Sequence, residues 1–317
     1  MNVQLILCSH SPLMRKNMRE THAGAQAAFM ETMQRVSQEL ARFEPEVVVC
    51  FGPDHFNGFF YDLMPSFCIG VKAEGTHDWG IPGGPLRVPS DLALACVRHL
   101  HRHEFDTAIS HEMKVDHGST VSLLQIAGAL DRYPVLPIFV NCAADPRPTL
   151  RRSRAFGTEV GRFLLDRGLR RVAVVGSGGL SHDPPTPRLG TASEELAKRL
   201  IRRAVPSAQE LGMREARVMK AATELVDGTG PCLPPDPAWD AWFLGRITAW
   251  DVQALDAITD EELDTRAGYG GHEVRTWFAG SAAARALAAP HELKAQQRFY
   301  KVIPEWLTGM GVVTGHA

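Results

Sequence analysis

The sequence predicts a single α/β domain over residues 1–317, with a central mostly parallel or mixed sheet flanked by helices and a helical C-terminal third. Three observations predict it. Short apolar runs ending in Gly, Pro or Ser alternate with longer amphipathic segments through the first 180 residues. After Pro187 the periodicity turns helical. The composition, 44% hydrophobic and 22% charged over 317 residues, is that of a globular chain with a sizeable core.

Val3–Cys8 is the first strand-like run; no cationic segment or small-residue cleavage site accompanies it, so no signal peptide is expected. Ala23–Phe43 is expected as a helix, with Ala23, Ala27, Met30, Met33, Val36 and Leu40 on one face. Glu46–Phe51 has the continuous apolar character of a strand buried on both faces, and Ser66–Val71, Phe105–Ser110 and Val135–Val140 read as further strands. Helices are expected from Ser90 to about His101, with Ser90-Asp91 as the cap, and near Val121 to Leu130. Arg171–Val175 is the clearest late strand and ends in Gly176-Ser177-Gly178-Gly179. The later helices are expected at about Ser193–Val205, Met213–Asp227, Asp260–Ala267 and His272–Ala289, with Pro231–Pro237 as a structured loop.

Composition and charge exclude several function classes. The formal charge of −2, from 34 Lys+Arg against 36 Asp+Glu, leaves no basic field for nucleic acid. No run approaches the roughly 18 apolar residues of a membrane span. The six cysteines form no C-x-x-C pair and read as reduced, mostly buried thiols of a cytoplasmic protein.

Histidine carries the informative signal. His10 follows the first strand in Cys8-Ser9-His10-Ser11-Pro12, and His55 follows the second in Phe51-Gly52-Pro53-Asp54-His55. Asp116-His117-Gly118 follows the strand near residue 110, and His182 follows the glycine turn after the strand at 171–175. Ligands of open α/β sheets bind at the carboxyl ends of strands, so these four imidazoles are expected in one cleft. A single such histidine is ordinarily a loop residue bonded to backbone; four in equivalent positions point to a metal or acid/base site. His111-Glu112, His272-Glu273 and His291-Glu292 complete no H-E-x-x-H, no G-x-S-x-G elbow occurs, and Pro184-Pro185 prevents a dinucleotide-binding helix after Gly176. His99-Leu100-His101-Arg102-His103 reads as the solvated tip of a helix. Two of the histidines with one carboxylate would form the facial set that leaves positions open on Fe(II). Glu273 is the best carboxylate, although an acid in a first helical turn serves equally well to satisfy free amides there.

Ser9-His10-Ser11-Pro12, the run from Pro53-Asp54-His55 to Asp62, Val115-Asp116-His117-Gly118, Gly176 to His182 and His272-Glu273 together resemble the class III extradiol catechol dioxygenases. The resemblance extends to Ile303-Pro304-Glu305-Trp306, essentially the whole chain. It implies non-haem Fe(II) held by His10, His55 and Glu273, with His117 as proton donor and His182 as proton acceptor. It also implies a small-molecule catechol and O2 as substrates, and a homo-oligomer. The expected reaction is extradiol opening of 3-(2,3-dihydroxyphenyl)propionate, and of 2,3-dihydroxycinnamate beside it, to a 2-hydroxy-6-oxo-nona-dienedioate. Asp54 and Asp116 are candidates to orient the adjacent His55 and His117. The alternatives are another substituted catechol, a metal-dependent hydrolase on the same scaffold, or a binding protein that retains the fold without the chemistry.

Overall fold

The computed structural model describes residues 1–16, 18–203 and 206–317. Its main sheet is built from β1 (Asn2–Cys8), β2 (Val47–Gly52), β3 (Phe67–Gly70), β6 (Ala108–Ser110), β8 (Val135–Val140), β9 (Arg171–Ser177), β10 (Lys294–Ile303) and β11 (Thr308–His316), in the order β10-β11-β1-β9-β2-β8-β3-β6. The central strands β1, β9, β2 and β8 run parallel, while β11 joins β1 and β3 joins β8 antiparallel. Every residue of β2 and β8 is buried, which is why these segments read as unbroken apolar runs rather than alternating ones. A small second sheet holds β4 (Ala73–Gly75), β5 (Gly84–Pro85) and β7 (Met113–Val115).

Helices cover both faces. One face carries α1 (Ala23–Phe43) and α3 (His117–Ala127), packing Phe29, Met33, Val36, Leu40 and Ile126 onto Ile6, Val48 and Cys50. The other carries α2 (Ser90–Arg102), α4 (Leu150–Leu165) and α10 (Val274–Ala288) against Leu5, Val49, Phe51 and Val174. α4 and α10 approach backbone to backbone: a Cβ at Gly157 would lie 2.0 Å from the Ala279 carbonyl oxygen. That contact matters for the site, because α10 carries Glu273 at its start. Between β9 and α10 lie α5 (Glu194–Ile201), α6 (Ala208–Val226), α7 (Pro237–Ala249), α8 (Val252–Asp256) and α9 (Asp260–Glu262).

The α/β expectation holds, with local departures. The C-terminal third is helical only to Ala288; β10 and β11 then return to the sheet. β10 is largely polar and β11 interrupts its apolar residues with Gly309, Gly311 and Gly315, so neither shows the alternation that marks a half-buried strand. The helix expected to end at Val205 is observed as Glu194–Ile201, and Val205 itself lies outside the described residues. α6 begins earlier than expected because Ser207 and Glu210 form a capping box, and α7, capped by Asp236, was not anticipated. On α1 the inward face is Phe29, Met33, Val36 and Leu40, while Met30 is exposed.

Candidate active site

Because β1, β9 and β2 are neighbours and parallel, the residues that follow them emerge side by side: His10 after β1, His182 after β9, His55 after β2. His117 arrives differently. It opens α3 immediately after β7 of the small sheet, so only three of the four histidines follow strands of the main sheet. Glu273 ends the 3-10 turn Tyr269–Glu273 that leads into α10. All five line one cleft.

Each imidazole is held through Nδ1. His10 Nδ1 donates to Ser177 Oγ at 3.1 Å; Ser177 in turn donates to the Gly118 carbonyl at 2.5 Å. His55 Nδ1 donates to Asp116 Oδ2 at 3.0 Å, and His117 Nδ1 donates to Asp78 Oδ2 at 2.5 Å. His182 Nδ1 donates to the Leu180 carbonyl at 2.8 Å. A proton fixed on Nδ1 leaves Nε2 as the functional nitrogen of all four rings. The position of His182 is further set by backbone bonds from its N–H to Ala267 and from Gly270 N–H to its carbonyl. Only glycine fits at 270, since a Cβ there would lie 2.1 Å from His182 Nε2.

Glu273 sits where the Nε2 atoms face. Its Oε1 lies 2.9 Å from His55 Nε2 and 3.8 Å from His182 Nε2, and its Oε2 lies 3.7 Å from His10 Nε2. Gly179 N–H donates to Oε2 at 2.6 Å. The side chain makes no capping bond to α10, so the reading of Glu273 as a helix-start acid is set aside. Thr276 Oγ1 and Trp277 Nε1 donate to the carbonyls of Ser177 and Gly178, tying this turn to the end of β9. His272 faces the opposite way, accepting from Arg275 and donating to Asp264.

The electrostatics suit a cation. Burial would raise the Glu273 carboxyl, but the hydrogen bond and positive charge of His55 hold it below the usual carboxylate range. Burial drives His10 down to about 3, so its Nε2 lone pair is free at neutral pH. Burial also disfavours a charged His55, yet Asp116 and Glu273 outweigh it and the ring is held well above its ordinary value. His55 therefore donates its Nε2 proton to Glu273, and a bound metal ion requires that this proton leave.

Donor atoms of His10, His55 and His117 lie within 4.8 Å of one another, as do those of Asp78, Asp116 and His117; His10 and His55 also approach Glu273, at 3.7 Å from Oε2 and 2.9 Å from Oε1. Ring orientation separates the two sets that share His10 and His55. His55 and His117 stack with centroids 4.2 Å apart and planes at 20°, whereas His10 meets them edge-on at 79° and 71°. Lone pairs lie in the ring plane, so two nearly parallel rings do not aim at one point. His10, His55 and Glu273 fit a metal ion better, with His117 beside the set.

Sequence adjacency misassigned the supporting carboxylates. Asp116 orients His55, through the ring and the backbone N–H at 2.8 Å, rather than its neighbour His117. Asp54 does not touch the His55 ring; it accepts from the amides of Asn57, Gly58 and Phe59 and shapes the loop. Asp78 and Ser177 were missed. Ser177 lies in the Gly176-Ser177-Gly178-Gly179 turn, but nothing in the sequence around Asp78 links it to His117, 39 residues away. Cys8 is buried and its thiol is pushed up to about 11 by that burial, so it packs rather than ligates.

The family model of the catalytic LigB subunit of aromatic ring-opening dioxygenase matches residues 4–311. The chain is 44% identical over 314 residues to a 2,3-dihydroxyphenylpropionate/2,3-dihydroxicinnamic acid 1,2-dioxygenase of Cupriavidus pinatubonensis, covering 99% of this chain and 98% of that one. It is 40% identical to proteins of the same name from Photorhabdus laumondii and Azotobacter vinelandii, covering 99% of this chain and 97% and 99% of theirs.

Proposed function

This chain belongs to the LigB family of aromatic ring-opening dioxygenases, the metal-dependent class III extradiol enzymes, and from that premise we propose that it opens the ring of 3-(2,3-dihydroxyphenyl)propionate, and of the corresponding cinnamate, using Fe(II) held by His10, His55 and Glu273. The observation that carries the reading is the convergence of three Nε2 atoms on the Glu273 carboxylate at the end of three parallel strands. Two imidazoles and one carboxylate are the donor set that suits non-haem Fe(II) while leaving positions open. Fe(II), when bound, supplies the coordination positions and electrons through which a catechol and O2 react.

The remaining chemistry is proton transfer by this chain's own side chains. A catechol hydroxyl titrates near a phenol, at about pKa 10, so a base is needed at neutral pH. His182 Nε2 takes that proton: its Nδ1 donates to the Leu180 carbonyl, which turns Nε2 toward the cleft. His117 serves as the acid: Asp78 behind its Nδ1 offers a compensating charge when Nε2 also carries a proton, and Nε2–H is then given to the departing oxygen. Asp116 keeps His55 in the orientation that aims Nε2 at Glu273. The six free thiols, five of them buried, suit a reducing cytoplasm, and a homo-oligomer is the expected assembly. Among the described residues no helix is long and apolar enough to cross a membrane.

The test is anaerobic loading with Fe(II), followed by O2 uptake and product analysis on a panel of 3-substituted catechols. A 2-hydroxy-6-oxo-dienoate product is expected. A muconate, from cleavage between the two hydroxyls, or hydrolysis without O2 uptake would overturn the assignment.

A further inference from the structure

We propose that Arg217 binds the carboxylate of the substrate's side chain, with Arg214 reinforcing the positive field, and that this pair selects catechols bearing an anionic 3-substituent. The inference rests on the ring-cleavage reading above and names the specificity element of that same cleft. Arg214 and Arg217 stand three residues apart on α6, on one helical face, and both line the cleft that contains His10, His55, His182 and Glu273. Arg214 is anchored: it donates Nη2–H to the His55 carbonyl at 2.7 Å and Nη1–H to Asn57 Oδ1 at 3.2 Å. It is thereby fixed beside a proposed metal ligand.

Arg217 is different. Among the described residues no carboxylate or carbonyl accepts a hydrogen bond from it, and the acids of its own helix are engaged elsewhere. Glu210 accepts from Ser207 and pairs with Arg199, Glu215 pairs with Lys16 at 2.7 Å, and Glu224 lies 3.5 Å from Lys220. Arg217 is an exposed residue lining the cleft, and partial desolvation together with the neighbouring Arg214 disfavours its cation. Two like charges facing one cleft, one of them without an acceptor among the described residues, repel each other and attract an anion. A guanidinium matches a carboxylate in planar, bidentate geometry, which makes that group the fitting ligand. The same two arginines border a second cavity lined in part by Phe56, Phe60 and Leu211, so they stand beside the catalytic cleft where a ring substituent has room to extend.

The experiment uses the Fe(II)-loaded full chain and the ratio of kcat/KM for 3-(2,3-dihydroxyphenyl)propionate to that for its uncharged amide. Arg217→Gln is expected to lower this ratio about 10- to 100-fold, the range for losing a charge-assisted hydrogen bond, and mainly through KM. Arg217→Lys should retain part of the preference, because charge survives while bidentate geometry does not. Arg217→Glu should shift preference toward 3-(2-aminoethyl)catechol. Circular dichroism and iron content of each variant separate these effects from unfolding or metal loss. A ratio unmoved in folded, iron-replete Gln and Glu variants overturns the assignment, as does a wild type that turns over acid and amide equally while still opening the ring. If the wild type opens no catechol ring at all, the functional reading itself has failed, a result distinct from the other two.

Discussion

Two pairs of histidines stack in this molecule with the same geometry. His55 with His117, and His99 with His103, each have ring centroids 4.2 Å apart and planes at 20°. Both pairs have a carboxylate within hydrogen-bonding distance, and each belongs to a cluster of metal-binding residue types. What differs is what each ring nitrogen does. In the helix-end pair, His99 Nε2 and His103 Nδ1 both reach the same oxygen of Glu159, at 2.7 and 3.0 Å, and Arg162 takes the other oxygen. The carboxylate is consumed by the pair, and His103 is half exposed. In the cleft pair, separate buried carboxylates, Asp116 and Asp78, take the Nδ1 protons and leave both Nε2 atoms facing the cleft with Glu273. Residue type does not distinguish the pairs; independent anchoring of the rear nitrogen does.

The largest test of that difference is Glu273→Ala. It should empty the metal site and abolish turnover, a loss beyond the roughly 10–100-fold that supporting residues cost. Metal analysis and O2 uptake check both, and retention of iron would transfer the ligand role to another residue, His117 being the first to examine. Next come His117→Gln and His182→Gln, each expected to keep its iron and lose about 10²–10⁴ in kcat. The kcat/KM pH profile should lose its acidic limb in His182→Gln, because the base must be neutral, and its basic limb in His117→Gln, because the acid must be protonated. Iron loss from either variant would make that residue a ligand.

Asp116→Asn probes the anchor alone. It should weaken metal affinity about 10- to 100-fold by freeing the His55 ring, measured by competitive chelation. Asp54→Asn, which disturbs the loop and not the ring, should cost less. The smallest effect belongs to the other pair. Burial favours protonation of Glu159, but hydrogen bonds from His99 and Arg162 hold its carboxyl below the ordinary 4.5. A depressed carboxyl contributes stability that is present above the unfolded value and lost as pH falls through the folded one. Glu159→Gln should therefore destabilise the protein by about 1 kcal/mol near pH 7, with the difference vanishing in acid, and should leave metal content unchanged. A change in metal content would make the helix-end cluster a second metal site and undo the contrast.

Much of the site was legible because its residues follow strands. A buried parallel strand announces itself as an apolar run, and the polar residue after it must lie at the sheet's carboxyl edge, so His10, His55 and His182 were placed correctly with no knowledge of strand order. The direction of Glu273 was not legible, since one residue at a helix start can cap amides or face a cleft. Thr276 and Trp277 settle it by docking the turn on β9. The C-terminal hairpin escaped for a different reason: β11 is buried on account of where it packs, between β10 and β1, and its glycines carry no strand signal.

The division follows from the range of the forces involved. Hydrophobic periodicity and chain breaks are local, and they were sufficient to define the α/β class, the central strands and the four histidines. Which carboxylate stands behind which imidazole is a matter of contacts between distant segments: Asp116 with His55 across 61 residues, Asp78 with His117 across 39, Ser177 with His10 across 167. Buried hydrogen bonds of this kind depend on ångström-scale placement after the sheet has assembled, and adjacency in sequence, which places neighbouring side chains on different faces, carries no record of them.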